Sequence, residues 1–287
     1  MVDILELDGV VADPGDANRA ARTLEAGGLV LFPHLPFLLD ADEREFLDPA
    51  ILGKAKNVSL NPNNDVLSGT VADGERRSRL SSMVERFSAR SDALLAQVTP
   101  HYTGNLQKRR TSFRPGAVDQ RVLSPRKDDR RLHVDAFPSN PVQGRRILRV
   151  FANVNPVGES RLWDIGEDNF ETFARQFLPR LRKTQTAGWL REKLGLTKGR
   201  RTDYDQVMLH LHDMAKLDEA YQASAAKQRV VFAPGSMWIV YTDSVMHAAL
   251  AGQHAFEQTY LMAPQAMVDE HQAPVRVLER LLDRPLI

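Results

Sequence analysis

The feature that most constrains this chain is the tripeptide His133-Val134-Asp135, answered far downstream by His247. In a strand, side chains two apart share a face, so His133 and Asp135 can point at one cation from the end of one strand. With a remote His they make up the ligand set of a facial 2-His-1-carboxylate iron site. Such a site leaves the opposite face of Fe(II) open for a co-substrate and O2. A bare H-x-D arises by chance in many chains, and its weight here comes from the surroundings. The three residues can act together only in a fold that brings distant segments to one point.

The surroundings read as β-structure. Val230 to Ala233 is a short apolar run, Pro234-Gly235 is a turn dipeptide, and Ser236 to Tyr241 reads as a second strand. His247 follows, and beyond Ala251-Gly252-Gln253 another strand runs from His254 to Leu261. The expectation is hairpin after hairpin. Upstream, Arg145 to Val154 reads as a strand reached through the Pro138 to Gly144 loop.

These residues carry a family resemblance. His133-Val134-Asp135, the strand at Arg149 to Asn155, the stretch Pro156 to Asp164 and His247 resemble the Fe(II)/2-oxoglutarate dioxygenase superfamily. Asn155 to Trp163 is similar to the N-x-P-x-G-G-D-T-L-W stretch of its taurine-dioxygenase branch. Within the superfamily the chain as a whole looks most like the Kdo 3-hydroxylase family, whose members hydroxylate an acidic sugar of bacterial lipopolysaccharide. The superfamily part of the match covers about Leu132 to Met262.

The resemblance implies a mainly β fold with helices: a double-stranded β-helix (jelly-roll, cupin-like) core, N-terminal helical support and an inserted helical segment. One domain, 1–287, is expected, with its core at about 105–265 and the insert at about 166–228. The resemblance also implies Fe(II) held by His133, Asp135 and His247, with 2-oxoglutarate and O2 as co-substrates. The substrate would be the 3-position of Kdo in a lipid A or lipopolysaccharide precursor, with succinate and CO2 as by-products.

One departure from the family pattern matters. The family places an Arg shortly after the distal His, to pair with the distal carboxylate of 2-oxoglutarate. Here that position is Gln258. A neutral amide does not replace a bidentate cation–carboxylate pair. In the taurine-dioxygenase-like stretch a Thr also contacts that carboxylate, and its place is held by Arg161. We read a swap in which Arg161 supplies the charge and Gln258 the auxiliary hydrogen bond, with Arg149 and then Arg146 as fallback anchors. The cluster Lys108-Arg109-Arg110 with Arg114 is a candidate grip on sugar carboxylates or phosphates. From it, Lys108 and Arg114 are taken as substrate-binding residues.

Composition agrees with one well-filled domain. At 287 residues the chain can bury a full core. It has no Cys, which excludes disulfides, thiolate metal sites and a Cys nucleophile. The N-terminus lacks a basic region and a long apolar region, which argues against secretion. No apolar stretch of about 18 residues is present to span a membrane. A net charge of +1 gives no reason to expect nucleic acid as a partner.

Elsewhere the pattern is helical. Ala17 to Glu25 reads as a short helix stopped by Gly27-Gly28, and Leu29 to Phe32 as a buried strand. Asp40 is expected to cap a helix through Phe46, and Arg76 to Val98 to form a long amphipathic helix. Leu60 to Thr70 reads as an Asn-rich polar loop, and Thr111 to Arg114 as a strand. From Phe170 to Arg201 the chain is strongly basic, with interleaved Phe, Leu and Trp. The bland reading is a helical pair with a solvated face. The functional one is peripheral contact with an anionic membrane surface. The expected location is the cytoplasm, with peripheral contact at the inner membrane.

His210-Leu211-His212 mimics a metal pair, but its pattern is helical and residues two apart on a helix face different ways. No hydrolase elbow, P-loop or dinucleotide fingerprint is present. Two other classes stay open. One is a zinc hydrolase or isomerase on the same ligands. The other is a metal-free sugar-binding β-sandwich with structural histidines.

Overall fold

The computed structural model describes residues 1–9, 13–118, 123–181 and 200–287. Its strands, in chain order, are β1 (Ile4–Glu6), β2 (Leu29–Phe32), β3 (Val58–Asn61), β4 (Val66–Ser68), β5 (Leu106–Arg114) and β6 (Arg146–Asn153). They continue with β7 (Arg161–Gly166), β8 (Lys227–Phe232), β9 (Met237–Tyr241), β10 (His247–Ala251) and β11 (Ala255–Met262). An eight-stranded sheet has the order β1-β2-β9-β6-β11-β5-β3-β4, and a three-stranded sheet has the order β10-β7-β8. The two sheets do not close into a barrel.

The four last strands alternate between the sheets. β8 and β10 flank β7 in the small sheet, while β9 and β11 both pair with β6 in the large one. The expected succession of hairpins is therefore corrected: the turn at Pro234-Gly235 is a crossing between sheets. The physical reason is burial. Every residue of β6, β9 and β11 is buried, so these strands sit in the middle of a layered structure with both faces covered.

The two faces have different cores. Met237, Ile239 and Tyr241 of β9, with Val30 and Phe32 of β2, pack against α1 (Pro14–Glu25) and α2 (Gly74–Val98). Trp238 and Val240, with Leu29 and Leu31, face the small sheet. There an aromatic cluster joins the sheets: the Trp238 ring stacks on Phe232 at 3.9 Å and on Phe151 at 5.1 Å, with Trp163 edge-on. α1 ends in a Schellman arrangement. Gly27 takes φ +92° and donates to the Leu24 carbonyl, and Gly28 donates to that of Thr23. A Cβ at Gly28 would lie 2.5 Å from the Asp3 carbonyl, so the close approach of β1 requires glycine there.

Other expectations need adjustment. Asp40 caps no α-helix; Glu43–Leu47 is a 3-10 turn whose Glu43 carboxylate accepts from the Asp40 N–H. The Asn-rich loop is a hairpin. Leu60 and Leu67 are buried opposite each other, and Asp65 takes a positive φ in the turn. β5 is longer than Thr111 to Arg114. Between β7 and β8 lie α3 (Phe170–Phe177) and the helices Asp203–Leu217 and Glu219–Ser224. Most of the basic segment, including Arg182, Lys183, Arg191 and Lys193, lies outside the described residues.

Arg146 is fully buried at the start of β6. Its guanidinium forks onto Asp243 at 2.9 and 3.1 Å, donates to Ser244 Oγ and stacks on the Tyr241 ring. Asp243 also accepts from the Ile147 N–H. The pair fixes the β9–β10 crossing that delivers His247. Burial pushes the Asp243 carboxyl upward even with Arg146 beside it. We expect Arg146→Ala to cost about 3–5 kcal/mol in urea unfolding by stranding a buried acid. The deficit should shrink as pH falls, because a protonated carboxyl is cheaper to bury. A pH-independent loss below 1 kcal/mol would show that the pair does not hold the crossing.

Candidate metal centre

His133 and His247 meet through their backbones. Each N–H donates to the other residue's carbonyl, at 3.1 and 2.8 Å, in an isolated antiparallel bridge. Asp135 is tied in by its own N–H, which donates to the Thr242 carbonyl at 2.7 Å. His133 and Asp135 thus lie on extended chain beside β10, not within a regular strand.

The side chains converge. One ligand atom from each of His133, Asp135 and His247 lies within 4.8 Å of the other two. His133 Nδ1 is 2.7 Å from the Arg131 carbonyl, and His247 Nδ1 is 2.9 Å from that of Val245. A carbonyl only accepts, so both rings carry their proton on Nδ1 and present a bare Nε2 to the centre. Burial lowers both imidazole pKa values, and at His133 the neighbouring His247 lowers it further. Both rings are therefore neutral near pH 7, the form a metal needs. Burial alone would raise the Asp135 carboxyl. The guanidinium of Arg149, with Nη2 3.0 Å from Oδ2, holds it well below the usual range. Two neutral imidazoles and one carboxylate, held from behind, fit a divalent cation and leave its outer face open.

That face opens into a cavity of about 170 Å³. Its wall includes Arg114, Arg149, Arg161, Trp163 and Glu257. The Trp163 ring stacks on His247 at 5.3 Å. Arg149 Nη1 lies 2.9 Å and Arg114 Nη2 2.5 Å from the Glu257 carboxylate, which these arginines keep ionised against its burial. Glu257 is thus an anion held between two cations, a poor general base, which counts against the hydrolase reading. The bare, converging Nε2 atoms count against purely structural histidines.

The other candidates separate. Arg161, at the start of β7, is buried in the cavity wall, with Nη1 3.5 Å from the Gly252 carbonyl. Gln258 is not there. Side chains alternate along β11, so Glu257 lines the cavity with His133, Asp135 and His247 while Gln258 points the opposite way. Its amide is used up by the Thr111 hydroxyl and the Arg109 and Thr259 carbonyls. The expected auxiliary contact from Gln258 is therefore corrected. Arg146, bound to Asp243, is also removed as an anchor. His212 does approach: its ring stands edge-on to His133 at 5.3 Å, while His210 faces the Phe177 carbonyl. Among the described residues, only His133, Asp135 and His247 form a metal-holding group.

A second cavity, of about 290 Å³, adjoins the first and shares Arg149 and Glu257 with it. It is lined by Ser59, Asn61 and Asn63 of the β3–β4 hairpin, by Arg109, Arg110 and Ser112 of β5, and by Phe137 and Asn140 after the H-x-D segment. Lys108 is not among them. A β-bulge sets Arg109 and Arg110 together opposite Thr259 and turns Lys108 to the helical face, where it pairs with Asp92 of α2. Arg114 lies in the metal cavity instead. The basic cluster was legible in sequence, but the bulge that selects among its members was not.

A search of curated proteins finds no match to this chain. Solved structures do match. A crystal structure of the Kdo hydroxylase KdoO, a non-heme Fe(II) alphaketoglutarate-dependent dioxygenase, in complex with cobalt(II) is 39% identical, with a TM-score of 0.96. The alignment covers 99% of this chain and 97% of that one. The same enzyme with alphaketoglutarate and Fe(III) gives 38% identity and a TM-score of 0.95, over the same shares of the two chains. The family model for 3-deoxy-D-manno-oct-2-ulosonic acid (Kdo) hydroxylase matches residues 9–285, and the chain belongs to that family.

Proposed function

We infer that this protein is an Fe(II)/2-oxoglutarate-dependent dioxygenase that hydroxylates Kdo. The observation that carries the reading is the convergence of two Nδ1-protonated imidazoles and one carboxylate beside a cavity walled by arginines. Bound iron would supply the oxidative chemistry: one atom of O2 enters succinate as 2-oxoglutarate loses CO2, and the other enters a C–H bond of the sugar. The protein's own part is ligation, orientation and exclusion of water. His133, Asp135 and His247 would hold one face of the ion. Arg149 keeps Asp135 ionised and oriented. Trp163 fixes the His247 ring, and the arginines favour a dicarboxylate over a neutral co-substrate.

The substrate reading goes further, to hydroxylation at the 3-position of Kdo carried on a lipid A precursor. It is supported by the family membership and by the polar, basic cavity beside the metal pocket. Expression of the chain in a host that makes unmodified lipopolysaccharide should add one oxygen atom to the inner-core sugar, read by mass spectrometry. His247→Ala should add none while keeping the native circular dichroism spectrum. A gain on a fatty acyl chain would keep the oxygenase and discard the sugar.

Within the metal cavity we assign the distal carboxylate of 2-oxoglutarate to Arg161. Arg161, at the start of β7, brings a buried guanidinium to the wall of that cavity beside Trp163. Loss of a buried charged hydrogen bond costs about 2–5 kcal/mol. Arg161→Ala should therefore raise the KM for 2-oxoglutarate by about 30-fold or more. Cobalt(II) affinity, measured by calorimetry, should hold. Arg149→Ala should weaken both, because it also releases Asp135. A normal KM in Arg161→Ala would move the anchor to the other arginines.

We further propose that the enzyme works at the cytoplasmic face of the inner membrane, with the basic 170–201 segment on anionic lipid. Among the described residues no helix is long and apolar enough to cross a membrane. Arg175 and Arg180 are paired with Glu171 and Asp218, so the attraction falls to the rest of the segment. Neutralising Arg182, Lys183, Arg191 and Lys193 should weaken pelleting with anionic vesicles by about 1 kcal/mol per charge. Unchanged, salt-insensitive pelleting would leave the segment a solvated face.

A further inference from the structure

The second cavity has a chemistry of its own. Ser59, Ser112 and Thr259 of the sheet offer hydroxyls, and Asn61 of the sheet with Asn57 and Asn140 from flanking loops offer amides. Such groups both donate and accept, which suits a ligand dense in hydroxyls. Among the described residues the only carboxylate lining it is Glu257, already neutralised by Arg114 and Arg149. Arg109 and Arg110 stand on the wall without an acidic partner. Neither guanidinium forms an ion pair or hydrogen bond among the described residues.

The placement of that pair is unusual for a strand. Consecutive side chains on a regular strand face opposite ways, so two adjacent arginines cannot both face one cavity. The register between β5 and β11 slips here: Thr111 pairs with Gln258 and Lys108 with Tyr260, leaving Arg109 and Arg110 together opposite Thr259. A bulge of this kind re-aims a side chain. It places both arginines on the wall of one cavity where a regular strand would present one, and a carboxylate accepts guanidinium forks with its two oxygens.

We propose that Arg109 and Arg110 are the carboxylate clamp of the sugar subsite, and thereby a specificity determinant of the reaction. The inference rests on the Kdo hydroxylase reading above. An ulosonic acid carries its carboxylate at one end of the ring system. Gripping that end orients the ring against the shared Arg149–Glu257 wall, beyond which lies the metal. The amides and hydroxyls of the floor take the sugar hydroxyls. A neutral sugar of the same size would leave both arginines uncompensated and bind poorly.

The test compares wild type, Arg109→Gln, Arg110→Gln and the double variant on a Kdo-bearing lipid A precursor and on its Kdo methyl ester. Lys108→Ala, on the same strand but on the helical face, is the control. Each single variant should lose about 10- to 100-fold in kcat/KM on the acid, and the double variant more than either. The KM for 2-oxoglutarate and the affinity for cobalt(II) should not move. On the methyl ester, wild type and variant should become nearly equal, because the group the arginines read is gone. An undiminished gap on the ester that closes on a dephosphorylated acceptor would assign the pair to lipid phosphate and overturn the clamp. Equal activity on the acid would also overturn it, while the hydroxylase reading stands. A wild type that oxidises no Kdo-bearing acceptor would remove that reading and the clamp together.

Discussion

The structure depends on the reciprocal backbone bridge between His133 and His247. Two hydrogen bonds join a segment outside any regular strand to the first residue of β10. Everything the centre needs is arranged around that join. The same backbone carries the Arg131 and Val245 carbonyls that set the tautomers of the two rings. The Thr242 carbonyl that ties down Asp135 comes from the crossing held by Arg146 and Asp243. The buried ion pair is therefore part of the site without touching it.

Charge is organised in two tiers around the metal ligands. Asp135, Arg149, Glu257 and Arg114 form an alternating chain of carboxylates and guanidiniums along the wall between the two cavities. In such a chain each group is compensated, so burial neither protonates the acids nor expels the bases. The wall can then be nearly neutral, with Arg161 lining the cavity on one side of it and Arg109 and Arg110 lining the cavity on the other. One side is small and next to the His133, Asp135 and His247 cluster, and the other is larger and polar. That division suits a reaction in which co-substrate and substrate must meet at one ion without competing for one site.

The sequence was informative where a residue's chemistry is local. The H-x-D spacing, the distal His, the strand at Arg146 to Asn153 and the glycine stop after α1 could all be read directly, because strand alternation and helix capping act over a few residues. It misled where a neighbouring strand decides. Gln258 occupies the family's Arg position, yet β11 points it into the helical core and gives Glu257 to the metal cavity. Lys108, one of a basic triplet, turns to the helical face and pairs with Asp92, while Arg109 and Arg110 line the second cavity.

What the sequence determined by itself, then, was the His133, Asp135 and His247 cluster, the β-rich class and the presence of a basic cluster upstream of the H-x-D motif. Which cations face the chemistry was decided by tertiary structure alone. A single bulge in β5 moves Arg109 and Arg110 to one side and sends Lys108 to the other. The alternation of β8 to β11 between two sheets, not a run of hairpins, carries His247 back to His133. Both outcomes depend on pairing between strands far apart in the chain. Register of that kind is set by burial on both faces of the sheet, which no local spacing encodes.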